Sequence, residues 1–402
     1  MPLQSTREAA KPRFVNLFPV QNPSLETQMA VKKIGILTGG GDCPGLNPTI
    51  KGVVTRAADH GIECVGLLNG WKSLVGDAPL YRSLTVDDVR PIIQHGGTML
   101  HTSRTNAYSP KTPEALPNLL KNVGVLGLDA LVAIGGDDTL SVASRLTKGE
   151  RLEKPVPCVG VPKTMDNDVH GTDQCFGFDT SVTLAVEAIQ RLRDTADSHN
   201  RVIVLEVFGR KAGWTALYTA IAADADYVLL PERNPADLEG LFAKLREVKK
   251  RRDYALVVVA EGADHPDLED WASEIAKGLN GTRLGEAAVE IDSFGHPILK
   301  ERRVGDWAAY QIKKNLGWDT RTAVMAHLMR GGQPTLTDRI LGARLGIAAA
   351  DYVAEGRFGV MASLQGQDIK PFPLEELTDA SGKSITRDCT PEALQMADIL
   401  MK

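Results

Sequence analysis

Two short strings carry most of the chemistry open to this chain: Gly135-Gly136-Asp137-Asp138-Thr139 and Pro162-Lys163-Thr164-Met165-Asp166-Asn167-Asp168. Each follows a short apolar run, Ala130–Ile134 in one case and Val156–Val161 in the other. Small residues and carboxylates therefore fall just past the carboxyl end of a buried strand, where open α/β sheets build ligand sites. The glycines let backbone approach a ligand closely, and Asp137 can hold a hard cation through oxygen. The stretch Lys163–Asp168 crowds an ammonium, a hydroxyl and carboxylates together, enough to grip a phosphate and accept a proton. A lone Gly-Gly-Asp would be a plain turn. Both strings in one chain point to phosphate chemistry.

A third string, Thr38-Gly39-Gly40-Gly41-Asp42-Cys43-Pro44-Gly45-Leu46-Asn47, closes a strand at Lys33–Thr38 and opens a helix at Leu46–Asp59. Strand, glycine turn and helix N-terminus together offer backbone N–H groups to an anion. The spacing is neither G-x-x-x-x-G-K-[ST] nor G-x-G-x-x-G, so Walker-type and dinucleotide readings fail. Read alone, the string serves equally as a phosphate cradle or a structural turn.

These residues need a large frame. The 402-residue chain is long enough for a sizeable core and two or three domains. Its 51 acidic and 46 basic residues leave a net charge of −5, which argues against general binding to nucleic acid or to an anionic membrane. No apolar run approaches the roughly 18 residues of a membrane span. Cys43, Cys64, Cys158, Cys175 and Cys389 are scattered, as expected of reduced thiols in a cytoplasmic protein. Residues 1–30 mix Pro, Ser, Asn and Gln with little periodicity and lack a secretory pattern. They are expected to form an irregular extension, with the folded body beginning near Val31.

Beyond residue 30, strand-like runs at Lys33–Thr38, Glu63–Leu68, Ala130–Ile134, Val156–Val161, Val202–Val207, Tyr227–Leu230, Ala255–Ala260 and Thr322–His327 alternate with helical patterns. The clearest helices are Leu46–Asp59, Ser181–Ala196, Pro235–Lys249 and Leu336–Ala354. Alternation of this kind predicts an α/β fold with mostly parallel strands, in more than one sheet. The basic run Lys249-Lys250-Arg251-Arg252 reads as a solvated helix end, with cations near the C-terminal dipole.

The three strings, together with Arg201, Leu205–Arg210 and Thr322–Gly332, stand in the order and spacing of the phosphofructokinases, and the chain resembles that family from about Lys33 to Leu345. The resemblance implies two doubly wound, mostly parallel-sheet lobes with the active site in the cleft between them. The expected donor lobe is 31–177 plus 330–380, and the expected sugar-phosphate lobe is 178–329 plus 381–402. ATP users of the family carry glycine where this chain has Asp138 and Lys163. A carboxylate at Asp138 would repel a nucleotide α-phosphate, since like charges about 4 Å apart conflict by a kcal/mol or more. Lys163 adds a cation where pyrophosphate, lacking adenosine as an anchor, needs neutralising. The chain therefore resembles the diphosphate-dependent members. The ATP-dependent enzyme and a non-catalytic regulatory subunit are the alternatives.

Roles follow from the resemblance. Asp166 is the expected general base toward the C1 hydroxyl of fructose 6-phosphate, with Lys163, Asp138 and Arg210 beside it. Asp137 is expected to hold Mg²⁺, and Gly40, Gly41, Arg104 and Lys163 to meet the donor. Thr164, Met165 and Asp168 face substrate or metal-bound water, although Asp168 could instead serve an Asx-type turn with Asn167. Phe208-Gly209-Arg210, Glu261, His327 and Arg330 are expected on the sugar phosphate, with Phe208 where the family more often has Met. Arg201 and Arg321 match arginines that cross from a neighbouring subunit, which implies a homodimer or homotetramer; otherwise they are surface arginines. Lys51, Thr55 and Ala78 stand where allosteric relatives cluster effector-binding arginines.

Overall fold

Short runs of Val, Ile, Leu and Ala become buried strands here because both faces of each central strand are covered, so consecutive apolar residues are all used. The computed structural model describes residues 31–278, 289–291, 297–299 and 303–402. The extension expected over 1–30 lies outside the described residues.

In chain order the strands are β1 (Lys33–Thr38), β2 (Glu63–Leu67), β3 (Tyr81–Leu84), β4 (Ala130–Gly135), β5 (Cys158–Pro162), β6 (Val202–Val207), β7 (Tyr227–Leu229), β8 (Ala255–Ala260), β9 (Val289–Ile291), β10 (Pro297–Leu299), β11 (Thr320–Val324), β12 (Val360–Gln365) and β13 (Asp368–Pro373). A seven-stranded sheet runs β13-β12-β5-β4-β1-β2-β3, and a four-stranded sheet runs β11-β6-β8-β7. The first is parallel except at its edges, where β3 and β13 pair antiparallel; the second is parallel throughout. β9 and β10 form a separate antiparallel pair. The α/β class and the mostly parallel sheets are as the alternation predicts.

Alternate residues of each central strand enter different apolar clusters. In β4, Ala130, Val132 and Ile134 face one cluster while Leu131 and Ala133 face another. In β8, Leu256, Val258 and Ala260 share the first of these clusters, and Ala255, Val257 and Val259 face a third. One apolar cluster therefore runs continuously between the two sheets, each fully buried Val, Ile or Leu contributing about 1.5–3 kcal/mol. Register then brings the functional ends level. Thr38 sits beside Ile134, and Gly135 beside Pro162. Val207 sits beside Ala260, and Glu206 beside Val324.

Three expectations need correction. The last strand of the second sheet is Thr320–Val324, not Thr322–His327: Ala326 enters the left-handed region at φ 37°, and residues Ala326–Arg330 wind into a 3-10 helix. β5 begins at Cys158 because Pro155 and Pro157 cannot donate to a ladder. The basic run is not wholly solvated, since Arg252 makes two bonds of 2.6 and 2.7 Å to the buried Asp226 and lies over Tyr254.

Candidate active site

The first sheet supplies one wall. After β1, the Gly40 N–H donates to the Ser103 carbonyl at 3.0 Å, and the Gly40 carbonyl accepts the Thr102 hydroxyl at 2.7 Å. The Gly40 amide is thus engaged within the chain, and Gly40 lines a cavity with Gly41. The Gly41 carbonyl accepts the Lys163 ammonium at 2.5 Å. After β4, Asp137 and Asp138 occupy the first turn of the helix Asp137–Thr147. The Lys163 N–H donates to the Gly135 carbonyl at 2.9 Å, which holds the two strings side by side. Asn167 sits in the left-handed region at φ 55° and accepts the Cys175 N–H at 2.9 Å. Asn167 makes the turn, and Asp168 is left to line a cavity of about 180 Å³ with Arg104, Asp137, Asp138, Lys163 and Arg210.

The second sheet supplies the other wall. Gly209 follows β6 at φ 135°, and a Cβ there would stand 2.9 Å from the Ala212 carbonyl, so glycine is required. This turn aims Phe208 and Arg210 at a second cavity of about 200 Å³, shared with Glu261, Arg330, Met165 and Asp166. Arg330 lies over the Phe208 ring at 5.0 Å and stands 3.9 Å from Asp42. Its Nη1 would be 2.6 Å from a Cβ on Gly41, so glycine there admits the guanidinium. Lys163, Thr164, Asp166, Arg104 and Arg210 line both cavities, which are therefore parts of one cleft.

Two groups of expected residues stand apart. His327 is exposed, touches Phe208 edge-on at 6.3 Å and does not line the cavities. Arg201 and Arg321 lie at the amino ends of β6 and β11, the ends opposite the cleft, at 3.4 and 2.5 Å from Asp319.

Residues 33–353 match the family model for phosphofructokinase. The chain belongs to the phosphofructokinase family. A pyrophosphate–fructose 6-phosphate 1-phosphotransferase of Dictyoglomus thermophilum is 44% identical over 357 residues, 89% of this chain and 95% of that protein. An ATP-dependent 6-phosphofructokinase of Streptomyces coelicolor is 40% identical over 364 residues, 90% of this chain and 98% of that protein. The crystal structure of a pyrophosphate-dependent phosphofructokinase from Nitrosospira multiformis superimposes with a TM-score of 0.70 over 92% of each chain. At 19% identity, that likeness shows the fold.

In this phosphofructokinase the cleft is crowded with carboxylates. Burial pushes Asp166 well above the usual carboxylate range, and Asp168 and then Glu261 add repulsion. The Asp166 Oδ1 atom is buried and has no hydrogen-bond partner. Burial, followed by repulsion from Asp168, pushes Asp137 up to about 7, and burial also raises Asp168. Lys163 is lowered chiefly by burial, with Arg330 adding repulsion. Glu261 is raised by burial and then by Glu206.

Among the described residues no group of three or more His, Cys, Asp or Glu side chains forms a closed metal site. Mg²⁺ is commonly held by one or two carboxylates with phosphate oxygens. Asp137 and Asp168, buried and mutually repelling, fit that pattern because a divalent cation would relieve the repulsion.

Sequence reasoning passed over Lys211. Its ammonium lies 3.5 Å from Asp137, and it lines the cavity of about 180 Å³ with Arg104 and Lys163. The signal was present: Lys211 directly follows Arg210 in the turn expected at the site.

Proposed function

We propose that this cleft transfers a phosphoryl group reversibly from pyrophosphate to the C1 hydroxyl of fructose 6-phosphate, giving fructose 1,6-bisphosphate and phosphate. Family membership supports the reaction class, and the name of the Dictyoglomus relative supports the donor. The observation that carries the donor reading is that Asp138 and Lys163 both line the donor-side cavity. There a carboxylate opposes a nucleotide α-phosphate, and an ammonium favours a compact anion.

The C1 oxygen attacks the terminal phosphorus of pyrophosphate, the bridging P–O bond breaks, and phosphate leaves. The hydroxyl proton passes to Asp166, whose unpartnered Oδ1 is suited to accept it. Burial raises this carboxyl, so its ionised form is a stronger base than an ordinary aspartate. Arg104, Lys163 and Arg210 neutralise the phosphates, while Glu261 and Arg330 hold the sugar phosphate at the far end of the cleft. Asp137, with Asp168 beside it, would hold Mg²⁺, which supplies charge neutralisation along the phosphates.

Arg201 and Arg321 lie outside the cleft of their own chain. The reading that they complete a neighbour's site makes the enzyme a homodimer or homotetramer. No helix among the described residues is long and apolar enough to cross a membrane. A coupled assay of the purified chain, with pyrophosphate and ATP side by side, tests the donor. Turnover with pyrophosphate is expected; a preference for ATP would favour the function named for the Streptomyces relative, and no turnover with either would favour a regulatory subunit.

A further inference from the structure

Arg387 lies late in the chain, beyond the residues that match the family model, yet it touches both walls of the cleft. Its backbone N–H donates to the Asp168 carbonyl at 2.9 Å, and its guanidinium Nη1 donates to the Asn167 carbonyl at 3.1 Å. The neighbouring Thr386 forms an antiparallel bridge with Val169. Those contacts fasten the segment to the turn that carries Asp166 and Asp168.

On its other side the Arg387 guanidinium lies over the Trp214 ring, 4.2 Å from the centroid. The Trp214 indole N–H donates to the Arg387 carbonyl at 2.8 Å. Trp214 opens the helix Trp214–Ala222, just after the turn that aims Phe208 and Arg210. Glu232 adds a second tie, accepting the N–H of Gly213 at 2.7 Å and of Cys389 at 3.0 Å.

We infer that Arg387 is a positioning residue for phosphoryl transfer, fixing the Asp166–Asp168 turn of the first sheet relative to the Arg210 turn of the second. Both turns have reason to drift without it. Asn167 holds a left-handed conformation that local sterics disfavour, and Gly209 is intrinsically permissive. The guanidinium suits the task because one planar group can donate along its edge while its face lies on an indole, which an ammonium cannot do. Near-attack geometry is sensitive enough that a misplacement of about 1 Å costs on the order of 10²-fold in rate. The inference rests on the cleft being the active site, and is indifferent to which donor is used.

The test uses the full chain with Arg387→Met and Arg387→Lys, assayed with whichever of pyrophosphate or ATP the wild type turns over. Arg387→Met is expected to lower kcat about 10- to 100-fold, with both KM values within about threefold of wild type. Arg387→Lys should recover part of the loss. In parallel, amide hydrogen exchange over residues 164–169 should speed up in Arg387→Met at temperatures well below unfolding. If Arg387→Met fails to fold, Arg387→Lys carries both readouts. Wild-type kcat with only a lowered Tm would overturn the inference, and so would unchanged exchange protection. A wild type inactive with both donors would defeat the functional reading, and the exchange measurement would then decide on Arg387 alone.

Discussion

Lys211 Nζ stands 3.5 Å from Asp137 Oδ2, so a cation from the turn after β6 meets a carboxylate in the first helical turn after β4. The pair spans the cleft between the two sheets. The lysine side chain is 40% exposed, so solvent weakens the pair and leaves the ammonium available to a phosphate. Lys211→Met is expected to raise the KM for pyrophosphate about tenfold, the loss of one charge-assisted contact. The KM for fructose 6-phosphate should stay within about twofold in the same steady-state assay. Equal rises in both would assign Lys211 to cleft structure, not to the donor.

Donor choice should follow Asp138 and Lys163. The double variant Asp138→Gly/Lys163→Gly is expected to lose pyrophosphate activity and to admit measurable ATP turnover. Of the two single changes, Lys163→Gly should reduce kcat more, because the ammonium bonds the Gly41 carbonyl and lines the cavity proposed for the donor. Nucleotide use unaltered by either change would contradict the charge argument.

Asp166→Asn should keep the fold and both KM values while lowering kcat by about 10²–10⁴-fold. Asp168→Asn is the control: a larger loss there than at Asp166 would move the proton acceptor two residues along.

The raised Asp137 carboxyl has a stability consequence with a definite sign. Between the ordinary carboxylate range near 3.8 and about 7, the folded chain binds more protons at this site than the unfolded chain. Stability from this group is therefore present at low pH and is lost as pH rises through that window. Asp137→Asn removes the ionisation. In scanning calorimetry without Mg²⁺ or substrates, this variant should melt higher than wild type at pH 8, with the gap closing toward pH 5. A gap independent of pH would place the effect elsewhere.

If Arg201 and Arg321 complete a neighbouring site, Arg201→Ala and Arg321→Ala should each raise the KM for fructose 6-phosphate. Mixing an Arg321→Ala chain with an Asp166→Asn chain should restore activity through hybrid sites. A fully active monomer in light scattering would exclude sharing.

The strands that carry the cleft were legible because their apolar runs are nearly continuous and a glycine or proline closes each run or follows it within two residues. β1, β4, β6 and β8 were read to within a residue, and the two acidic strings after β4 and β5 do line one cavity. What was missed has weaker local signals. β3 and β13 are edge strands with alternating or polar residues, and β13 contains two prolines, which demote a run on sequence grounds. That Ser103 takes the Gly40 N–H is also hidden from a sequence, which shows only a glycine string able to turn toward an anion. Arg387 escaped notice for a similar reason: its partners lie at Asn167, Asp168 and Trp214, and no spacing rule links them.

β5 pairs with β4 on one side and with β12 on the other. Its second neighbour is made roughly 200 residues later, which at about 5–20 residues per second is a delay of some 10–40 s on the ribosome. During that interval the strands of the second sheet emerge and can assemble as an insertion. Meanwhile β5 presents an open edge of Cys158, Val159, Gly160 and Val161, the kind of edge that recruits foreign strands. Slow or paused translation between β5 and β12 should therefore lower the yield of active protein more than a pause placed after β13.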